Sequence, residues 1–167
     1  RLNASFQQRV DVEFSKCQPE LIPAIVVEMT VERPAGRGQS RASAIATLLG
    51  CDKPSALRFD VAASKRKGVQ LSQRLVDLLE LKVGDPVVLR VNERSAVPSD
   101  MPLGSRQSSS LSRRVILTAT LPPGSVGDFS LSSTEPPAGV ALVSLTLAEE
   151  LLGWSDKRNG IFLAGDA

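Results

Sequence analysis

Gly68 to Glu93, GVQLSQRLVDLLELKVGDPVVLRVNE, is the stretch in which a strand signal, a helix and a second strand follow one another with clear punctuation. Val69 and Leu71 alternate with Gln70, as in a half-buried strand. Ser72 stands where a helix N-cap belongs, its hydroxyl placed to accept from an orphan backbone N–H. Leu75, Leu78 and Leu79 follow at i, i+3 and i+4, a one-sided apolar stripe, with Arg74, Asp77 and Glu80 on other faces. Burying each leucine contributes about 1.5–3 kcal/mol, more than helix propensity supplies. On this reading Leu78→Asp unfolds the unit. Leu81 to Asp85 closes the helix in a turn where Gly84 takes positive φ without a Cβ clash. Pro86 opens the next strand, where its missing N–H does least harm, and Val87, Val88, Leu89 and Val91 continue it.

A second unit near the C-terminus echoes the first. Val140 to Leu145 reads as a strand, and Thr146 with Glu149 three residues later forms a capping box. Leu147, Leu151 and Leu152 supply the apolar side of that helix, Gly153 stops it, Trp154 packs nearby, and Asn159-Gly160 turns into a strand at Ile161 to Leu163. The shared pattern is V-x-L-[ST], helix, turn, strand, a supersecondary echo too loose for a sequence repeat.

Around these units the signals are mostly extended. Val10, Val12 and Phe14 alternate, and Pro19 and Pro23 bracket a kink. AIVVEMTV, Ala24 to Val31, reads as a strand, and Glu32 to Gly38 as a turn with basic tips. RASAIATLLG, Arg41 to Gly50, is the return strand, and RRVILTAT, Arg113 to Thr120, is another. Ser95 to Ser112, with two prolines and a serine run, reads as a long mobile loop, about residues 95–112.

The 167 residues suit one domain, 42% hydrophobic and only 4% aromatic, so the core is aliphatic and stacking platforms for bases are scarce. Twenty basic residues against eighteen acidic ones, interspersed, give a net charge of +2, too weak to argue for nucleic acid. No run approaches the ~20 apolar residues that span a bilayer, and no signal peptide is visible. The chain begins at Arg1, which reads as a piece of a longer protein. Cys17 and Cys51 are not in a metal-ligand spacing. Two small buried apolar residues is the ordinary reading, and one bridge in an oxidising compartment is the other.

Histidine is absent, which removes the commonest general base, triad partner and metal ligand. The glycines make no phosphate-binding loop. The acidic pairs Asp77/Glu80 and Glu149/Glu150 share helix turns, as solvated surface charges do. The expectation is therefore a chain that is not an enzyme and holds no cofactor and no metal. Arg33, Arg37 and Arg41 flank one loop, and Arg106 and Leu111 lie in the serine-rich segment. These five are the candidate contact residues. Ser72, Leu75, Leu78, Gly84, Thr146 and Leu151 are the candidate structural ones.

The stretch GVQLSQRLVDLLELKVGDPVVLRV resembles the segment "strand, S-x-x-L-A-x-x-L-x-L-K-V-G-D, strand" of the extracytoplasmic core domain of MacB-type and FtsX-like ABC transporter permeases, with Val76 in place of a small residue. GVALVSLTLAEELLGWSDKRNGIFL is similar to a later element of that family. The resemblance covers about half of the chain. It implies an α+β fold, mixed strands with two short helices and room for two lobes, outside the cytoplasmic membrane (periplasmic in a two-membrane cell). The implied role is non-catalytic: the domain couples transmembrane-helix motion to contact with an exported substrate or partner. The implied partners are the permease's own transmembrane helices, a cytoplasmic ATPase subunit or domain, a periplasmic or lipoprotein partner, and a second copy in a dimeric transporter. No nucleic acid is implied.

Two further readings stand beside it. Helix–L-x-V-G-D–strand units also occur in small β-barrels such as the double-psi barrel, which implies a module of a soluble cytoplasmic protein that binds a protein or a nucleotide. A hydrolase using a serine and a lysine ranks below both, because no spacing selects the pair.

Overall fold

In the computed structural model, residues 20–36, 40–52, 68–92, 110–130, 139–155 and 157–164 are described. Seven strands dominate: β1 Glu20–Arg33, β2 Ala42–Gly50, β3 Gly68–Ser72, β4 Pro86–Asn92, β5 Ser110–Leu121, β6 Val140–Val143 and β7 Gly160–Ala164. Helix α1, Gln73–Leu78, follows β3, and helix α2, Leu145–Leu152, follows β6. A 3-10 turn covers Val126–Asp128.

The strands close on themselves. Around the ring β1 pairs with β2, β2 with β6, β6 with β3, β3 with β5, β5 with β4, and β4 with β1 again. β7 stands outside this six-stranded barrel, antiparallel to Glu20–Ala24 at the start of β1. The α+β, two-lobed expectation is thereby overturned. Closure satisfies backbone groups that an open sheet of the same strands would leave at two edges. The helices, of six and eight residues, are connections within the barrel rather than a layer of their own. Alternation along a strand reports which face is buried, but the ring requires knowing each strand's two neighbours.

The ring has an internal symmetry of pairing. Exchanging β1, β2, β3 and α1 for β4, β5, β6 and α2 leaves the pattern unchanged. The antiparallel pair β1–β2 becomes β4–β5, the parallel pair β2–β6 becomes β5–β3, and β3–β6 and β1–β4 map onto themselves. The V-x-L-[ST] echo sets Ser72 against Thr146, whereas this symmetry sets Ser72 against Ser144, two residues earlier. Ser72 and Ser144 each precede their helix, and the residues three, four and seven positions later are Leu75, Val76, Leu79 and Leu147, Ala148, Leu151, all buried.

Two apolar layers result. Ile25, Met29 and Val31 of β1, Leu48 of β2, Val69 and Leu71 of β3, Val87, Leu89 and Val91 of β4 and Leu117 of β5 fill the barrel with the apolar sides of both helices. The alternate residues Ile22 and Ala24 of β1, Leu49 of β2, and Val140 and Leu142 of β6 form a second cluster outside the wall, with Cys51 and Val126, against Phe129 and Phe162. Phe129 and Phe162 meet edge to face at 5.8 Å between centroids. β3 is therefore buried throughout, Gln70 included, rather than half-buried as its alternation predicts.

Several local expectations change for identifiable reasons. β1 runs through Pro23 without a break, pairing it with Ile161, and Pro19 lies outside the described residues. Ser110 to Ser112, assigned to the end of a loop, already pair with Asn92, Val91 and Arg90, and residues 93–109 lie outside the described ones. The strand expected at Val10 to Phe14 and Cys17 also lie outside them.

Leu78 is 58% exposed; Val76 takes its place beside Leu75 and Leu79 in the core. A six-residue helix ending at a barrel rim presents a different arc than the i, i+3, i+4 stripe predicts. Ser72 occupies the N-cap position, yet its Oγ caps nothing in α1 and instead accepts from Val140 N at 3.3 Å on β6. Thr146 is an exposed residue inside α2. The cap is Ser144, whose Oγ accepts from Leu147 N at 3.3 Å, and Asp52 accepts from Leu145 N at 2.9 Å. Glu149 forms an ion pair with Arg158. The T-x-x-E spacing misplaces the start because β6 ends at Val143 and Ser144 is still extended.

Other expectations hold. Gly84 has φ of 101°, its N–H donates to Leu117 O at 2.8 Å, and Pro86 opens β4. Gly153 ends α2 in the left-handed conformation, and Leu151 is buried.

Candidate binding surface

The arginines grouped around one loop are divided by the strand they flank. Arg33 ends β1 pointing along the barrel-interior side of the strand, and it is buried. Its Nη1 donates to Leu79 O at 2.8 Å and Glu80 Oε2 at 2.9 Å, and its Nη2 donates to Ser40 O at 3.1 Å. A guanidinium at the C-terminal end of α1 meets carbonyls that the helix itself leaves unpaired. Arg33 is thus a latch between the β1–β2 connection and α1, not a contact residue.

Arg41 lies on the other side. It is exposed and donates through Nη2 to both carboxylate oxygens of Glu32. Leu111 is half-buried opposite Val91 in the β4–β5 ladder. Arg37 and Arg106 lie outside the described residues. Of the five predicted contact residues, Arg41 alone is placed on an open surface here.

That surface is the outer face of β2, β1, β4 and β5. One row of cross-strand partners runs Ser43, Glu32, Val88, Arg114, and the next runs Ile45, Thr30, Arg90, Ser112. Pro86 and Ile116 begin a third row. Ser43, Ile45, Ser112, Arg114 and Ile116 are exposed, so neither helix covers this face. Its apolar members are aliphatic, with Ile45 56% and Ile116 45% exposed.

Glu32 organises the centre. Its side chain is 10% exposed, with Arg41 on one side and Arg90 Nε at 3.3 Å on the other. The Arg41 hydrogen bond holds its carboxyl below the usual value of 4.5, the charges of Arg41 and Arg90 add to this, and burial opposes it. The carboxylate in turn fixes two guanidinium groups that would otherwise move freely at a surface. Sequence reading missed Glu32, Arg90, Arg114, Ile45 and Ile116. The available signal was period-two alternation: Arg90 stands between Leu89 and Val91, and Arg114 and Ile116 flank Val115.

Elsewhere an open depression of about 450 Å³ lies along the end of α2, lined by Thr146, Glu149, Glu150, Gly153, Trp154 and Ser155. Its carboxylates are already engaged, Glu149 with Arg158 and Glu150 with Arg113 at 2.7 Å. Among the described residues no three His, Cys, Asp or Glu side chains cluster as a metal site would require, and no helix is long and apolar enough to cross a membrane. Compared with known proteins, the chain matches no protein-family model and no curated protein.

Proposed function

We propose that this chain is a non-catalytic β-barrel module, double-psi-like in kind, that binds another protein through the outer face of β2, β1, β4 and β5. The observation that carries the reading is a filled barrel with one uncovered wall. Val31, Leu48, Val69, Leu71, Leu89 and Leu117 occupy the interior with no exposure, so a ligand docks outside. The outer wall offers arginines held in place by a buried carboxylate, beside exposed isoleucines. Arginine and aliphatic anchors on a rigid sheet suit protein recognition. The helix–L-x-V-G-D–strand unit is at home in a barrel, so the permease resemblance loses the fold that it implied.

The test is site-specific photo-crosslinking in cells. A photoreactive residue in place of Ile45 or Ile116 is expected to give discrete protein adducts that Arg114→Glu abolishes. The same residue in place of Leu78 or Ile161, both exposed elsewhere, is expected to give none. Adducts at the latter pair alone would overturn the assignment of the face.

A further inference from the structure

Resting on that reading, we infer that the face takes an extended acidic segment of a partner protein, with carboxylates four residues apart and an aliphatic side chain midway between them. Charge complementarity selects this occupant. Arg41, Arg90 and Arg114 share the face with one buried carboxylate, Glu32, while Glu28 stands beyond Thr30 at the margin opposite Thr47. Among the described residues the two rows with Arg41 therefore carry more arginines than carboxylates, although the whole chain is close to neutral.

The spacing follows from the ladder. Glu32, with Arg41 upon it, and Arg114 lie in one row with Val88 between them. Strands about 4.8 Å apart put those two cationic positions about 10 Å from each other. Carboxylates four residues apart in an extended chain are separated by about 14 Å, a difference of about 4 Å from that distance that two arginine side chains span by leaning apart. The half-buried Val88 between the two positions offers an aliphatic contact to the side chain midway between carboxylates four residues apart, which points to the same face as they do.

Arg41 uses only Nη2 on Glu32 and is 58% exposed at its side chain, and Arg114 is exposed and makes no ion pair among the described residues. Arg114 presents a guanidinium edge able to grip a carboxylate in a two-point hydrogen bond, while Arg41, whose Nη2 is engaged by Glu32, offers single N–H donors and its charge. Nucleic acid fits less well. The rows contain no aromatic side chain for a base to stack on, and three arginines against a carboxylate neutralise few phosphates.

The experiment is an amide-resolved NMR titration of the full chain with a blocked peptide in which glutamate and leucine take turns at every second position with serine between them, its glutamine analogue, and single-stranded oligothymidylate. Expected are shifts confined to the outer rows around Val88, with α2 unmoved. Binding of the glutamate peptide is expected to weaken by at least about tenfold in Arg114→Glu and by a similar factor for the glutamine analogue. Absence of shifts, equal binding of the glutamine analogue, tighter binding of oligothymidylate, or shifts on this face that depend on protein concentration alone would each overturn the inference. Crosslinks at Ile45 or Ile116 without acidic preference would sink this inference and leave the binding-module reading standing. Absence of both crosslinks and shifts on the face would sink the two together.

Discussion

The two halves of the barrel lead into their helices with nearly the same words, GVQLS and GVALVS, and end in different structures. In the first, α1 is six residues long, its preceding serine bonds across to β6, and its C-terminal end is held by Arg33. In the second, α2 is eight residues long, Ser144 and Asp52 satisfy its N-terminus, and Gly153 ends it. The chain after α1 enters the barrel as β4, whereas the chain after α2 leaves it and joins β1 as β7. The C-terminal end of the first helix is held by a distant group, Arg33, whereas the second relies on neighbours in sequence, apart from Asp52. Related local patterns thus stabilise two equivalent positions by different means.

The largest expected effect probes what the halves share. Leu75→Ala and Leu151→Ala each empty a buried site facing the same core, and each should cost about 2–5 kcal/mol, read as a shift in denaturant midpoint. A loss in one half alone would break the equivalence. Arg33→Met tests the distant support of α1. It removes hydrogen bonds from a charged donor to Leu79 O and Glu80, and should cost about 1.5–3 kcal/mol, with amide exchange accelerated in α1 and not in α2.

The two serines sharpen the contrast. Ser72→Ala leaves the buried Val140 N–H without its partner, an expected cost of about 1–3 kcal/mol that appears as faster exchange at Val140. Ser144→Ala removes an ordinary cap, at about 1 kcal/mol, with fraying limited to the first turn of α2.

Glu32 and Arg33 are adjacent on β1 and face opposite sides, so acid should separate them. The carboxyl of Glu32 is depressed chiefly by Arg41, so its stabilisation is present above the unfolded value of about 4.5 and is lost as pH falls through the folded one. The acid limb of the stability profile should therefore be shallower in Glu32→Gln. Leu78→Asp should have the smallest effect, within about 0.5 kcal/mol, because the side chain is in water. A large loss would restore the apolar stripe that the spacing of Leu75, Leu78 and Leu79 predicts.

Much of the local structure was legible. The strands at Ala24 to Val31, Arg41 to Gly50 and Arg113 to Thr120, the turn at Gly84 and the stop at Gly153 all lie close to where their residues place them. The candidate surface was less so. Arg33 and Arg41 look alike in a list of loop arginines, but the register of β1 against β2 and β4 sends one toward α1 and sets the other upon Glu32. Thr146 carries a sound capping-box spacing, yet Ser144 is the cap, because β6 reaches its end two residues earlier.

By itself the amino-acid order determined where this chain extends, where it coils for a turn or two, and that its interior is aliphatic. These properties depend on neighbours a few residues away, through side-chain alternation, caps and glycine's backbone freedom. Only the tertiary structure decided that six strands form a ring, that β7 stands outside it, and that a glutamate between two arginines lies at the centre of an open wall. Those outcomes depend on which distant strand supplies each backbone hydrogen bond, and period-two alternation is the same whichever partner is chosen.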